Sequence, residues 1–205
     1  VADIPIVTGL GPVERLDGIL AGQVNFVLEP DGSISVFETR LTLTDGNLKP
    51  QFGDLTIPIK GMELWAELDG KVVVVHRLAM DAMDHGQLAL QAKLYFENDL
   101  SASMMESQIV AEQVNATLVG DLWPEALFPR SRKWLRKHVI GGVINGFKLN
   151  IGLDLKEEKP KPLFVEGGGQ LKTPTLHYLI DHQPIEDADI SLSFSGTKLG
   201  GTNFN

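Results

Sequence analysis

Hydrophobic side chains in this chain recur at every second position over stretch after stretch, a period that suits an extended strand with one oily and one polar face. Met62, Leu64, Ala66 and Leu68 share one parity, and Glu63, Trp65, Glu67 and Asp69 share the other. Leu88, Leu90, Ala92, Leu94 and Phe96 oppose Gln87, Ala89, Gln91, Lys93 and Tyr95. Val110, Val114, Ala116 and Leu118 oppose Gln113, Asn115 and Thr117. Phe147, Leu149, Ile151, Leu153 and Leu155 oppose Lys148, Asn150, Asp154 and Lys156, and Ile190, Leu192 and Phe194 oppose Asp189, Ser191, Ser193 and Ser195. Residues 23–28, 33–44 and 71–80 are further strand candidates. Turn formers separate these runs: Pro30-Asp31-Gly32, Asp45-Gly46, Asp69-Gly70, His85-Gly86, Asn98-Asp99 and Ser195-Gly196. Links this short predict a mainly antiparallel meander.

One segment breaks the pattern. Pro124 and Pro129 belong in a first helical turn or outside a helix, so the sequence predicts a brief turn after Pro124 and a helix from Pro129, stopped by Gly141-Gly142. Trp134, Leu135, His138 and Val139 gather on one side of it, with Arg130, Arg132, Lys133, Arg136 and Lys137 around the rest. Two readings of this amphipathic, basic helix stay open. It packs its apolar edge on the sheet with its charges in water, or it lies on an anionic membrane surface, where each cation is worth about 1 kcal/mol.

With 205 residues, 43% of them hydrophobic, the chain can bury one sizeable core or two small ones. A formal net charge of −9, with cations clustered only between 130 and 137, argues against nucleic acid as a partner. The absence of cysteine excludes disulfides, thiol nucleophiles and thiolate metal sites. No stretch approaches the ~18 apolar residues of a membrane-spanning helix.

Lys156 to Pro162, KEEKPKP, predicts an exposed linker that divides the chain into a β-meander unit at 1–156, ending in the helix and a strand, and the start of a second β unit at 163–205. An internal repeat agrees with this division. Residues 58–70 align without gaps on 184–196, and Gly46-Asn47-Leu48-Lys49 resembles Gly169-Gln170-Leu171-Lys172. The second unit then stops short at Asn205, as in a piece of a longer array.

The element formed by Trp123, Pro124, Leu127, Pro129, Arg132, Trp134 and Leu135, with the glycine-spaced strand from Gly141 to Ile151, resembles the AsmA-like family of Gram-negative envelope proteins, closest to its YhdP branch. The region around Tyr178, with Gln183-Pro184-Ile185-Glu186-Asp187, and the run from Leu16 to Leu48 are similar to repeats of that family. The resemblance implies a long, curved antiparallel sheet, groove-like, taco-shaped or partly closed, with one short amphipathic helix. It further implies a periplasmic bridge carrying phospholipid between inner and outer membranes. Its partners would be acyl chains, the inner membrane through an anchor outside this sequence, and other envelope proteins.

The residues themselves lead to a similar place, since one helix cannot cover so much oily sheet. Leu64, Leu68, Leu90, Leu94, Phe96, Leu118, Leu149, Ile151, Leu153, Leu192 and Phe194 are the expected lining of a lipid groove. A closed sandwich or small barrel would bury the same positions. Catalytic signatures are lacking: there is no G-x-S-x-G elbow, P-loop, H-E-x-x-H or dinucleotide fingerprint. His76, Asp81, Asp84 and His85, and likewise His177, Asp181 and His182, suit solvated strand ends better than a metal. Gly167-Gly168-Gly169 predicts a flexible turn. Asn115-Ala116-Thr117 matches a glycosylation sequon inside an expected strand. No enzyme activity, cofactor or metal is expected.

Overall fold

The computed structural model describes residues 13–30, 32, 34–50, 56–97, 101–123, 129–156, 160–176, 183, 186, 188–197 and 203–204. Ten strands form one antiparallel sheet in strict chain order: β1 (Val13–Leu28), β2 (Ile34–Pro50), β3 (Ile57–Asp69), β4 (Val72–Asp81), β5 (Gln87–Phe96), β6 (Ala102–Asn115), β7 (Val139–Asp154), β8 (Lys161–Leu176), β9 (Asp189–Thr197) and β10 (Asn203–Phe204). Two helices, α1 (Ala116–Leu122) and α2 (Pro129–His138), connect β6 to β7, and a 3-10 turn (Met83–His85) connects β4 to β5. The sheet is open, with β1 and β10 at its two ends. The expected antiparallel sheet is therefore present, with two short helices where one was expected.

The second helix lies where the alternation predicted strand. Asn115 ends β6 and caps α1, its Oδ1 accepting from the Thr117 backbone N–H at 3.0 Å and from the Thr117 hydroxyl at 2.8 Å. An asparagine that bonds its own chain two residues on offers the backbone a way out of the ladder. Ala116, Leu118 and Gly120 are all buried, so burial stays two-periodic through a helix. The Asn-Ala-Thr triplet is a helix cap.

Gly141 and Gly142 do not stop a helix. α2 ends at His138 and β7 begins at once, with irregular pairing to β8 on either side of Gly141 and φ of +106° at Gly142. The pair forms a bulged strand start, a conformation that glycine tolerates. Asp45-Gly46 likewise lies inside β2, opposite an irregularity between Asp17 and Ile19 of β1, and Ser195-Gly196 lies inside β9. Asp69-Gly70 is the expected tight turn, with φ of +62° at Gly70. Asn98-Asp99 lies outside the described residues.

Gly167-Gly168-Gly169 sits in the middle of β8. A Cβ on Gly167 would fall 2.8 Å from the Phe194 ring and within contact distance of the Lys148 carbonyl, and one on Gly169 would fall 2.6 Å from Ile144. The missing side chains make room for large neighbours on adjoining strands. Lys161 and Pro162 of the expected linker already belong to β8, and the sheet runs on across it.

In the repeat, residues 58–69 fall within β3 and 189–196 within β9. The shorter match does not share a register. Leu48 pairs with Ile57, but its counterpart Leu171 pairs with Ile190, the counterpart of Leu64.

Candidate functional site

Cross-strand pairing gathers the expected lining residues into continuous rows on one face of the sheet. One row runs Phe26, Phe37, Leu68, Val73, Leu94, Met105 and Leu153 from β1 to β7. The next runs Val24, Thr39, Ala66, Val75, Ala92, Ser107, Ile151 and Val165. A third runs Leu41, Leu64, Leu78, Leu90, Ile109, Leu149, Gly167 and Phe194. Part of a fourth is Leu20, Leu43, Met62, Met80 and Leu88, and Leu192 lies beyond it on β9, opposite Gly169. Rows perpendicular to the strands advance about 4.8 Å per strand. The sheet thus carries mainly apolar tracks about 30–35 Å long along its hydrogen-bonding direction.

A bulge keeps the rows in line. Trp65 pairs with Arg77 and Ala66 with Val75, leaving His76 as an extra residue in β4. Val73 and Val75 before it, and Leu78 and Met80 after it, then share a face despite the break in alternation. Without the extra residue, half of β4 would turn its valines outward.

Burial along this inner face is graded. Phe147, Leu149, Ile151, Leu153 and Val165 on β7 and β8 are buried, Leu64, Leu68, Leu90 and Leu94 on β3 and β5 are half-buried, and β1 is open, with Val24 50% and Phe26 61% exposed. Among the described residues no second sheet faces these side chains. The helices cover the β7 end of the face, and register shifts, which add local bend and twist, recur along the sheet.

The helices occupy one margin of that face. α1 packs on β6 and β7, with Ala116 and Leu118 fully buried in one core cluster with Ile57, Ile59, Val114, Ile144 and Leu171. Trp123, after α1, reaches the Phe194 ring at 6.2 Å. Leu118 therefore belongs to the plug at this margin and not to a strand lining. Nine of the other expected lining residues fall in or beside the rows. Phe96 sits at the end of β5, past an irregularity, opposite Ala102.

α2 lies against α1 and β7. A Cβ on Gly120 would meet Arg136 at 3.2 Å and Leu135 at 3.6 Å, and Arg136 pairs with Asp121 at 3.3 Å. Arg132, expected at the polar side, is buried, as is Val139. Trp134, expected on the packed side, is 40% exposed and lies 5.4 Å from His138. Arg130, Lys133 and Lys137 are exposed.

The opposite face is polar and cross-linked over β6 to β8, and it also carries the exposed Val27, Val36 and Val110. Gln108 donates to Asn150 at 2.9 Å, and Asn150 donates to Glu166 at 2.9 Å, spanning β6 to β8. Trp65 is stacked on His76 with ring centroids 4.2 Å apart, under the Arg40 guanidinium at 5.0 Å, while His76 meets Glu67 at 2.8 Å. Tyr95 donates to Glu106, and its pKa is raised above 10, by partial burial first and the Glu106 charge next. A shallow, open depression of about 570 Å³ among His76, Lys93, Glu106, Gln108, Asn150 and Glu166 lies on this side.

Asp81 accepts from the Met83 backbone N–H and from Gln87, and no group of three or more His, Asp or Glu side chains able to hold a metal occurs among the described residues. His177, Asp181 and His182 lie outside them. No helix among the described residues is long and apolar enough to cross a membrane. Comparison with protein-family models, with curated proteins and with solved structures finds no match for this chain.

Proposed function

We propose that the chain is a non-catalytic lipid-carrying module, in which phospholipid acyl chains lie along the inner face of the curved sheet. The reading extends to a periplasmic setting, within an inner-membrane-anchored protein of the AsmA-like kind that bridges to the outer membrane. The observation that carries it is the set of mainly apolar rows, which cross the strands and open toward β1 with no layer over them among the described residues. Full burial of a Leu, Val or Phe side chain is worth about 1.5–3 kcal/mol. Covering what Leu20, Val24, Phe26 and Leu28 leave exposed would therefore yield about 1 kcal/mol each. Hydrocarbon lying along the rows would collect that energy without specific polar contacts. The outer face carries a hydrogen-bonded polar ladder from β6 to β8, and its exposed apolar residues do not line up into rows of this length.

The second reading is a structural or adaptor domain of the envelope, and the burial of Leu149, Ile151 and Leu153 favours it locally. Photo-crosslinking separates the two. A photoreactive residue at Leu94 or Phe26 is expected to label phospholipid, and one at Gln91 on the outer face is not. Equal labelling at all three positions, or none at any, contradicts lipid carriage.

A further inference from the structure

α2 has a face that the fold does not use. α1 plugs the inner margin with Leu118, while α2 packs against α1 and β7, with Leu135 beside Gly120 and Arg132 buried. Arg130, Lys133, Trp134 and Lys137 fall at i, i+3, i+4 and i+7, one stripe of the helix, and all four are exposed. Among the described residues no carboxylate pairs with these three cations, whereas Arg136, off the stripe, is taken by Asp121. The stripe is strongly basic in a chain whose net charge is −9.

We infer that the Arg130, Lys133, Trp134 and Lys137 stripe of α2 is a docking surface for an anionic phospholipid bilayer. Charge complementarity and the tryptophan together choose this occupant. Clustered cations match an anionic headgroup layer, and an indole among them is the side chain that settles at the water–hydrocarbon boundary. With its apolar edge held by α1, the helix stays in the interfacial plane and does not have to fold on the membrane, which its ten residues could not do alone. The inference stands apart from lipid carriage on the inner face.

The test is vesicle co-sedimentation of the full 205-residue chain. Vesicles of phosphatidylcholine are compared with vesicles containing phosphatidylglycerol, at low and high salt. Binding is expected to the anionic vesicles only, and to weaken with salt. A basic residue at an anionic surface is worth roughly fivefold in partition, so Lys133→Gln with Lys137→Gln lowers it roughly 30-fold. Trp134→Ala lowers it several-fold. These side chains are exposed, and circular dichroism checks that each variant keeps the wild-type fold. Equal binding to neutral vesicles, no binding at all, or anionic binding unchanged in the lysine double variant overturns the inference. None of these results touches the inner face, because Leu94 crosslinking reads that site separately.

Discussion

Truncating Leu118 separates a groove-lining side chain from a core plug. On an open groove wall, Leu118→Ala would remove a half-exposed side chain and cost about 1 kcal/mol. In the structure Leu118 is fully buried, on a helix too short to persist without its packing, among Ile57, Ile59, Val114, Ile144 and Leu171. Neighbours from several strands cannot collapse into the space together. The expected cost is the transfer loss plus the cavity, about 3 kcal/mol within the usual range of 2–5 for Leu→Ala. For a chain of this length that lowers Tm by about 6–12 °C. Urea unfolding followed by far-UV circular dichroism measures it, with half-buried Leu94→Ala as the comparison, expected near 1 kcal/mol. Equal losses in the two variants would refute the plug.

Asn115→Ala removes the α1 cap and is expected to cost about 1 kcal/mol in the same assay, with Asn115→Asp retaining most of the stability. Gly167→Val places methyl groups against Phe194 and the Lys148 carbonyl and is expected to destabilise by about 2 kcal/mol or more, read by thermal melting. Tyr95 is expected to ionise above the usual value near 10, and Glu106→Gln to lower that pKa, both read by ultraviolet absorbance titration. A raised tyrosine pKa favours the neutral hydroxyl, so this contribution to stability is present below the unfolded value and is lost as pH rises through the folded one.

Alternation made the sheet legible because its faces differ in polarity along most strands, and the register then brought together residues that the periodicity had only sorted by parity. Three local features defeated it for one reason: the signals read at sequence level were short-range. Asn115 turned an apparently continuing strand into a helix whose buried positions still alternate. The Gly167 run has the composition of a flexible turn, yet Phe194 and Ile144, on neighbouring strands, decide that glycine belongs in mid-sheet there. Gly141-Gly142 carries the composition of a helix stop, and α2 passes into β7 without one. The bulge at His76, which keeps the rows of β4 aligned, was visible only as a break in alternation between Val75 and Leu78. On α2, the wheel put Trp134 on the packed side and Arg132 on the polar side. Docking against α1 set the rotation otherwise, and that partner was not recognisable as a helix.

The central claim, that hydrocarbon occupies the inner face, meets its most direct test in native mass spectrometry of the intact chain after gentle purification from cells. Bound phospholipid is expected as discrete added masses, lost when Leu64 and Leu90 in the middle of a row are both replaced by aspartate while the sheet signal in circular dichroism persists. A chain that emerges lipid-free, and stays so when offered phospholipid, contradicts the account.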